Sequence, residues 1–197
     1  HPISAQFRKV LWNSSDKLDE TTGFPVYGAS YIQVGSTDFS TDANGMARLV
    51  FSPSEPGVYQ LRIVGDGAVS ELYTWVGGNG SANWATFPNQ TILLASDKRQ
   101  YVAGETAQIF IPNPFYGLTY AMILVERDHI LYTDIVAFEG SSYEYALNIS
   151  KDFSPGSYVV VLLFGKQNND EPDFRQGILE LPVLDKENAL ELSLNTQ

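Results

Sequence analysis

Short runs of β-branched and aromatic residues, alternating with polar residues and separated by Gly, Pro, Asn and Asp, recur along the whole chain. Alternation with a period of two is typical of strands that bury one face, and the spacing of an amphipathic helix is hard to find. The sequence therefore predicts an all-β protein of antiparallel strands. Its 197 residues fit two immunoglobulin-like or fibronectin-like β-sandwiches of about 100 residues each, in tandem.

The predicted strands fall into two groups, and each strand stops at a turn signal. In the first group they are residues 5–12, 29–34, 47–51, 57–64 and 70–76. In the second group they are residues 91–94, 107–111, 120–126, 130–137, 142–149, 156–164 and 177–184.

A stretch rich in Gly, Asn and Ser separates the two groups at residues 77–83. Such a composition has low strand propensity and is typical of a flexible connection. We expect a first sandwich domain at residues 1–78, a linker at 79–90 and a second sandwich domain at 91–184. Residues 185–197 are expected to be a tail or the start of a further domain, because alternation resumes there after a polar break.

Composition excludes several classes of function. A formal net charge of -11 with only 12 basic residues argues against binding to a nucleic-acid backbone, which requires clustered Lys and Arg. The chain has no cysteine, so it forms no disulfide, thiolate zinc site, cysteine nucleophile or thioester of its own. No apolar run approaches the roughly 20 residues that cross a bilayer, and the start, which lacks an initiator Met and a signal peptide, suggests a mature or excised chain.

Four glycosylation-type sequons begin at Asn13, Asn79, Asn89 and Asn148. They favour an extracytoplasmic protein, which would be periplasmic, at the cell surface or secreted. The alternative is that Asn, Ser and Thr are simply common in β-turns.

An alternation of oxygen-bearing side chains precedes Gly45, at Asp38, Ser40, Asp42 and Asn44. It resembles the ligand rhythm of a calcium loop. If Ser40 were the first ligand, however, the twelfth position would be Phe51, and the bidentate carboxylate would be missing. The pattern is therefore interpreted as an Asn-Gly turn, with calcium as the alternative.

Other reactive side chains have no recognisable catalytic context. The chain has two histidines, and His129 is predicted at the tip of a hairpin, where it would tolerate an unusual backbone rather than bind a metal. The acidic run at residues 170–173 is interpreted as a solvated loop. We predict no enzyme, and we assign no catalytic, cofactor-binding or metal-binding residue and no cofactor.

Two aromatic residues, Trp84 and Phe87, lie in the predicted linker. We expect them to pack between the two domains, because either core can bury a ring placed between them. The alternative is an exposed site for a sugar, another domain or a protease surface.

A series of motifs resembles macroglobulin domains of the alpha-2-macroglobulin family. The most specific is D-K-x-x-Y-x-x-G-E-T-A over residues 97–107. Three further segments follow it in the family's order, at 111–115, 124–127 and 153–161. The first half is similar to the preceding domain of the family, especially in bacterial members, through T-D-x-x-G-x-A over 41–47, P-G-x-Y-x-L over 56–61 and Y-x-W-V over 73–76. Together the motifs cover most of residues 29–184.

The resemblance implies a tandem array of macroglobulin domains that supports a protease trap, in which a bait segment is cleaved and a distant thioester captures the protease. The chain departs from that pattern, because it has no Cys-x-Glu-Gln motif and no obvious bait insertion. We therefore expect a non-catalytic scaffold segment, with the trapping chemistry elsewhere in the parent chain. Its expected partners are neighbouring macroglobulin domains and, through the full-length protein, target proteases.

The second hypothesis is an extracellular adhesin or a carbohydrate-binding array of immunoglobulin-like modules, because the same sandwich hosts many unrelated functions. A thioester motif several domains downstream would favour the trap. Anchoring repeats or a glycosidase domain would favour the array.

Overall fold

The computed structural model describes residues 3–18, 25–79, 82–85 and 87–184 and confirms an all-β chain. The strands are β1 (Ile3–Leu18), β2 (Pro25–Phe39), β3 (Gly57–Gly65), β4 (Ala68–Val76), β5 (Ala95–Ser96), β6 (Tyr101–Val102), β7 (Thr106–Pro112), β8 (Tyr116–Glu126), β9 (Ile130–Phe138), β10 (Ser142–Asn148), β11 (Gly156–Lys166) and β12 (Pro172–Leu184). Two 3-10 turns, Pro88–Gln90 and Lys151–Phe153, complete the regular structure of these ranges. None of the described residues forms a helix long and apolar enough to cross a membrane. The predicted tail at 185–197 lies outside the described residues.

The strands form three sheets. The first half of the chain supplies a four-stranded sheet in the order β2-β1-β3-β4. The second half supplies a three-stranded sheet, β10-β7-β5, and a five-stranded sheet, β6-β12-β11-β8-β9. All strand pairs are antiparallel except β12 and β6, which run parallel with Val183 opposite Tyr101.

The two sheets of the second half enclose one core. Alternate side chains along β7, β8, β11 and β12 are buried, while most of the side chains between them are more exposed. The fully buried members include Ala107, Ile109, Ile111, Ala121, Ile123, Val125, Val159, Val161, Leu163, Leu181 and Val183. Because alternate residues of a strand lie on one face, this pattern indicates two sheets packed face to face.

The first half packs an irregular segment on one face of its sheet. Residues 47–51, predicted as a strand, make no strand in the structure. Phe51 instead stacks on Phe7 of β1, with ring centroids 4.4 Å apart, and lies 6.0 Å from the ring of Tyr59. The prediction was wrong because Phe51 packs on the sheet through its ring alone, while Val50 stays 79% exposed and the segment pairs with no strand.

The predicted strand at 91–94 is also wrong. Its only ladder contact in the described structure is an isolated bridge from Thr91 to Gln176. Ile92 and Leu94 are nevertheless buried, and they lie over Gly177, where a Cβ atom would come within 2.8 Å of Leu94. The absence of a side chain at Gly177 makes this close approach possible.

The predicted Asn-Gly turn is confirmed. Gly45 has a φ of +77°, a conformation that glycine adopts at little cost. The side-chain Oδ1 of Asp42 accepts hydrogen bonds from the backbone N–H of Asn44 at 2.8 Å and of Met46 at 2.9 Å. Asp42 therefore organises this turn.

Candidate functional site

Trp84 joins the two halves of the chain. Its indole is 6% exposed and packs with the buried Val10 and Val58 of the first sheet. Its ring meets Phe110 of β7 edge-on, with centroids 5.6 Å apart, and its Nε1 donates a hydrogen bond to the backbone carbonyl of Ser141 at 2.7 Å. The predicted packing of Trp84 between the two groups of strands is confirmed.

Phe87 takes a smaller part in the same junction. Its ring lies 6.3 Å from that of Trp12 in a tilted arrangement, and it remains half-buried. The ring of Phe87 thus contacts the first sheet, and its packing between the two domains stays a prediction.

Hydrogen bonds hold Gly78 and Asn83, which lie near the two ends of the connecting segment 77–83. The backbone N–H of Gly78 donates to Ser141 Oγ at 3.2 Å, and the Gly78 carbonyl accepts from that hydroxyl at 2.7 Å. At the other end, Asn83 Oδ1 accepts from the backbone N–H of Trp12 at 2.7 Å, and Asn83 Nδ2 donates to the Trp12 carbonyl at 3.3 Å. The flexibility predicted across 77–83 therefore does not apply to Gly78 and Asn83.

An aromatic groove of about 310 Å³ opens beside the junction. Its walls are aromatic and aliphatic, and its main lining residues are Trp12, Tyr31, Val58, Tyr73, Trp75 and Leu93. The strand register produces it, because Val10 pairs with both Tyr31 and Val58, and Val58 pairs with Trp75. These side chains therefore share one face of the first sheet.

The polar atoms around the aromatic groove are partly paired with each other. The hydroxyls of Tyr31 and Tyr73 are 2.9 Å apart, and Gln60 Nε2 donates to Tyr73 at 2.6 Å. The hydrogen bond to Tyr73, with a further contribution from burial, raises the pKa of Tyr31. Within the described residues, two buried atoms here have no hydrogen-bond partner, namely Trp12 Nε1 and Gln60 Oε1.

A second groove, also about 310 Å³, lies on the other side of Tyr73 and Trp75. We call it the acidic groove, because Asp97 and Glu144 contribute to its lining together with Gln108. It is bounded by strand β4 on one side and by the β10-β7-β5 sheet on the other. The ridge formed by Tyr73 and Trp75 is common to both grooves.

Asp97, the first residue of the 97–107 motif, ties a turn to strand β7. Its Oδ1 accepts hydrogen bonds from the Tyr101 hydroxyl at 2.7 Å and from the Gln108 backbone N–H at 2.8 Å. Burial opposes ionisation of Asp97, but these hydrogen bonds outweigh it and hold the pKa of the carboxyl below its usual value. Burial and the hydrogen bond to Asp97 raise the pKa of Tyr101.

The remaining motif residues close the same turn. Glu105 accepts from the backbone N–H of Val102 at 2.9 Å and pairs with Lys98 at 3.0 Å. Gly104 has a φ of +91°, which explains why glycine occupies this position. The motif is thus a hydrogen-bonded structural unit.

A third surface is the outer face of the five-stranded sheet. Six large apolar side chains on it, each between 42% and 65% exposed, are Tyr120, Ile135, Tyr158, Phe164, Phe174 and Ile178. Phe164 lies directly opposite both Tyr120 and Phe174 in the register, so this apolar surface is continuous across three strands. The solvated face of an antiparallel sheet is usually polar, which makes this outer face unusual.

The other candidates from the sequence do not assemble into a site. Within the described ranges, no three His, Asp or Glu residues come close enough to hold a metal ion. His129 does follow β8 at a hairpin tip and meets the carboxylate of Asp128 at 2.9 Å. Its φ is not among the positive values of the described residues.

The acidic run at 170–173 divides into two environments. The side chain of Asp170 is exposed, as the solvated-loop interpretation requires. That of Asp173 is largely buried, because Gln167 Nε2 donates to it at 2.6 Å and Arg175 forms an ion pair with it. The interpretation was therefore wrong for Asp173, which holds the β11–β12 hairpin.

Comparisons with known proteins agree with the motif series. The family model of the alpha-2-macroglobulin bait region domain matches residues 92–197. An alpha-2-macroglobulin homolog of Nostoc sp. (strain PCC 7120 / SAG 25.82 / UTEX 2576) is 25% identical over 82% of this chain and 9% of its own length. The alpha-2-macroglobulin of Escherichia coli (strain K12) is 27% identical over 81% of this chain and 10% of its own length.

The chain thus spans about a tenth of the length of these relatives. Among solved structures, the crystal structure of CBD12 from CALX1.2 aligns with a TM-score of 0.25 and 10% identity, covering 81% of this chain and 67% of that one. The matching model is named for the bait region, although the sequence shows no obvious bait insertion. From the match over 92–197 and the two relatives, the chain belongs to the alpha-2-macroglobulin bait region domain family.

Proposed function

We propose that this chain is a non-catalytic scaffold segment of an alpha-2-macroglobulin-like protease-trapping inhibitor that works outside the cytoplasm. Membership of the family and the two bacterial relatives support the proposal. Its structural support is the apolar outer face of the five-stranded sheet, since a surface of this kind marks a contact with another protein surface.

The partner that we propose for the outer face is a neighbouring macroglobulin domain of the same parent chain. The relatives are about ten times longer than the segment they share with this chain, so a parent of similar length would contain further domains beside it. A face built from Tyr120, Phe164, Phe174 and Ile178 suits a permanent contact, because its rings and aliphatic groups would remain in water otherwise.

We also propose that residues 1–78 and 91–184 are two domains joined by the linker 79–90. No strand of the first sheet pairs with a strand of the other two sheets in the described structure. Contact between the halves includes instead the packing of Trp84 between Val58 and Phe110 and the hydrogen bonds between Gly78 and Ser141. This arrangement supports two domains that meet at the end of the first domain and in the linker.

The test uses the full-length parent protein, incubated with an endopeptidase and then offered either a small chromogenic peptide or a large protein substrate. A trap encloses the protease, so hydrolysis of the small substrate should persist while hydrolysis of the large one falls. Equal loss of both activities, or loss of neither, would argue against the proposed function.

A pair of variants connects this result to the segment itself. Ile178→Lys places a charge in the middle of the outer face, whereas Val69→Lys places one at a similarly exposed position on the first sheet. We expect Ile178→Lys to weaken trapping and to increase protease sensitivity of the parent, and Val69→Lys to leave both unchanged. The same effect from both variants would show that the outer face has no special part.

A further inference from the structure

The aromatic groove and the acidic groove are two parts of one surface. They are continuous at the ridge of Tyr73 and Trp75, whose side chains line both. Tyr31 and Tyr73 are still 41% and 38% exposed, although the neighbouring Val10 and Val58 are buried by the junction. Aromatic rings are thus available to a ligand at this ridge.

The aromatic groove fits the apolar side chains of a peptide. Its walls offer ring faces and aliphatic groups, which pack well against proline and branched aliphatic residues. Trp12 Nε1 is a donor with no partner within the described part of the chain, and a peptide carbonyl could accept from it after a small adjustment of the indole. Burial of an unpaired donor costs free energy, so a ligand that pairs it gains affinity.

The acidic groove adds a preference for positive charge. Glu144 is exposed on β10, and the depressed pKa of Asp97 keeps that residue ionised at neutral pH. Two cations, Lys98 and Arg99, follow Asp97 in the sequence, and Lys98 is paired with Glu105. The carboxylates of Asp97 and Glu144 would therefore attract a Lys or Arg side chain.

An oligosaccharide fits these observations less well than a peptide. Sugar hydroxyls need several polar partners around the stacked ring, whereas the hydroxyls of Tyr31 and Tyr73 already bond to each other. The main lining of the aromatic groove is apolar, so carboxylates that could accept from sugar hydroxyls are present only in the acidic groove. The chemistry of the two grooves favours a cationic apolar peptide.

We propose that the aromatic and acidic grooves together bind an extended peptide segment, with a proline or aliphatic residue against Tyr31, Tyr73 and Trp75 and a Lys or Arg beside Glu144. In an extended peptide, side chains two residues apart lie on the same side, which allows one ligand to reach over the ridge. This proposal is independent of the protease-trapping function.

The test is selection of random heptapeptides displayed on phage against the 197-residue chain, followed by synthesis of the enriched sequence. The expected consensus is an apolar residue followed closely by Lys or Arg. Binding of the synthetic peptide is then read by intrinsic fluorescence, because the chain has 3 tryptophans and all of them, Trp12, Trp75 and Trp84, lie at the junction or its grooves.

Two substitutions, one in each groove, test whether the peptide binds there. Tyr31→Ala should weaken binding about tenfold or more, as truncation of an aromatic anchor does. Glu144→Gln should weaken it by up to about fivefold, the usual size of an exposed ion pair. The matched controls Tyr116→Ala and Glu180→Gln remove an exposed tyrosine and an exposed carboxylate from the five-stranded sheet and should leave affinity unchanged.

Circular dichroism of each variant confirms that it is folded before binding is measured. Failure to enrich any consensus would overturn the proposal, as would a peptide whose affinity is the same for Tyr31→Ala and the wild type. Binding of cellohexaose or chitohexaose at the grooves without binding of any peptide would replace it with a saccharide site.

Discussion

Removal of one hydroxyl, by Tyr101→Phe, tests whether the 97–107 motif stabilises the fold. Tyr101 is 1% exposed, and its hydroxyl donates to Asp97 Oδ1 at 2.7 Å and accepts from the backbone N–H of Lys98 at 3.1 Å. The substitution leaves the ring in place and removes both hydrogen bonds.

The size of the effect follows from the surroundings of Asp97. A hydrogen bond to a charged group contributes about 1.5–3 kcal/mol, but Asp97 is exposed and water can partly replace the lost donor. We therefore expect a loss of about 1–2 kcal/mol in the free energy of unfolding. For a chain of this size that corresponds to a fall of about 2–8 °C in Tm.

The effect should also depend on pH with a definite sign. The folded pKa of Asp97 is depressed, so the stability it contributes is present above the unfolded pKa of about 3.9 and is lost as pH falls through the folded pKa. The Tyr101 hydroxyl is the strongest cause of that depression. The difference between wild type and Tyr101→Phe should be constant from neutral pH to about pH 5 and should shrink in more acidic solution.

The assay is urea denaturation followed by circular dichroism at several pH values. Tyr158→Phe is the matched control, because Tyr158 is 47% exposed and its loss of a hydroxyl should change stability by less than about 0.5 kcal/mol. Equal effects of the two substitutions, or an effect of Tyr101→Phe that stays the same in acid, would refute this reasoning.

The other predictions concern the junction, a close approach, calcium and covalent capture. Trp84→Ala should lower the free energy of unfolding by about 3–5 kcal/mol, because Trp84 is buried between the two halves, and denaturation should then show two separate transitions. A single transition with an unchanged midpoint would contradict the proposed junction. Gly165→Ala should lower Tm, because the new Cβ would lie 2.6 Å from the ring of Phe115. The control Gly28→Ala should not, because no atom lies within 4 Å of its Cβ position, and equal changes in Tm would contradict the close approach of Gly165 to Phe115. Millimolar calcium should leave Tm unchanged, because Asp42 already accepts two backbone hydrogen bonds, and a rise reversed by chelator would reveal a site. Incubation with endopeptidases should give no covalent adduct on denaturing gels, because the chain has no cysteine, and an adduct that requires active protease would disprove this.

Strands whose two faces differ in polarity were predictable from the sequence alone. Residues 57–64 alternate apolar and polar side chains in the sequence, and the structure places them in β3. The Asn-Gly turn at Gly45 was equally predictable, because its conformation depends on neighbouring residues only. Such features are local, so the sequence carries them directly. The resemblance of the 97–107 motif to the family could also be read without a structure.

The tertiary structure decided what the apolar residues outside the strands pack against. Phe51 and Ile92 lie in runs that resemble strands, yet one stacks on Phe7 and the other lies over Gly177 without a strand ladder. The sequence could not distinguish these outcomes, because burial of an alternating segment does not require backbone pairing.

The grooves depended on the structure for the same reason. Tyr31 and Tyr73 are 42 positions apart, and the pairing of β2 with β1, β1 with β3 and β3 with β4 brings their hydroxyls together. Prediction of strands leaves their register open, and a shift of one residue would turn each side chain to the opposite face. The sequence by itself thus determined the class of fold and the family, whereas packing across distant strands decided the junction at Trp84 and the two grooves beside it.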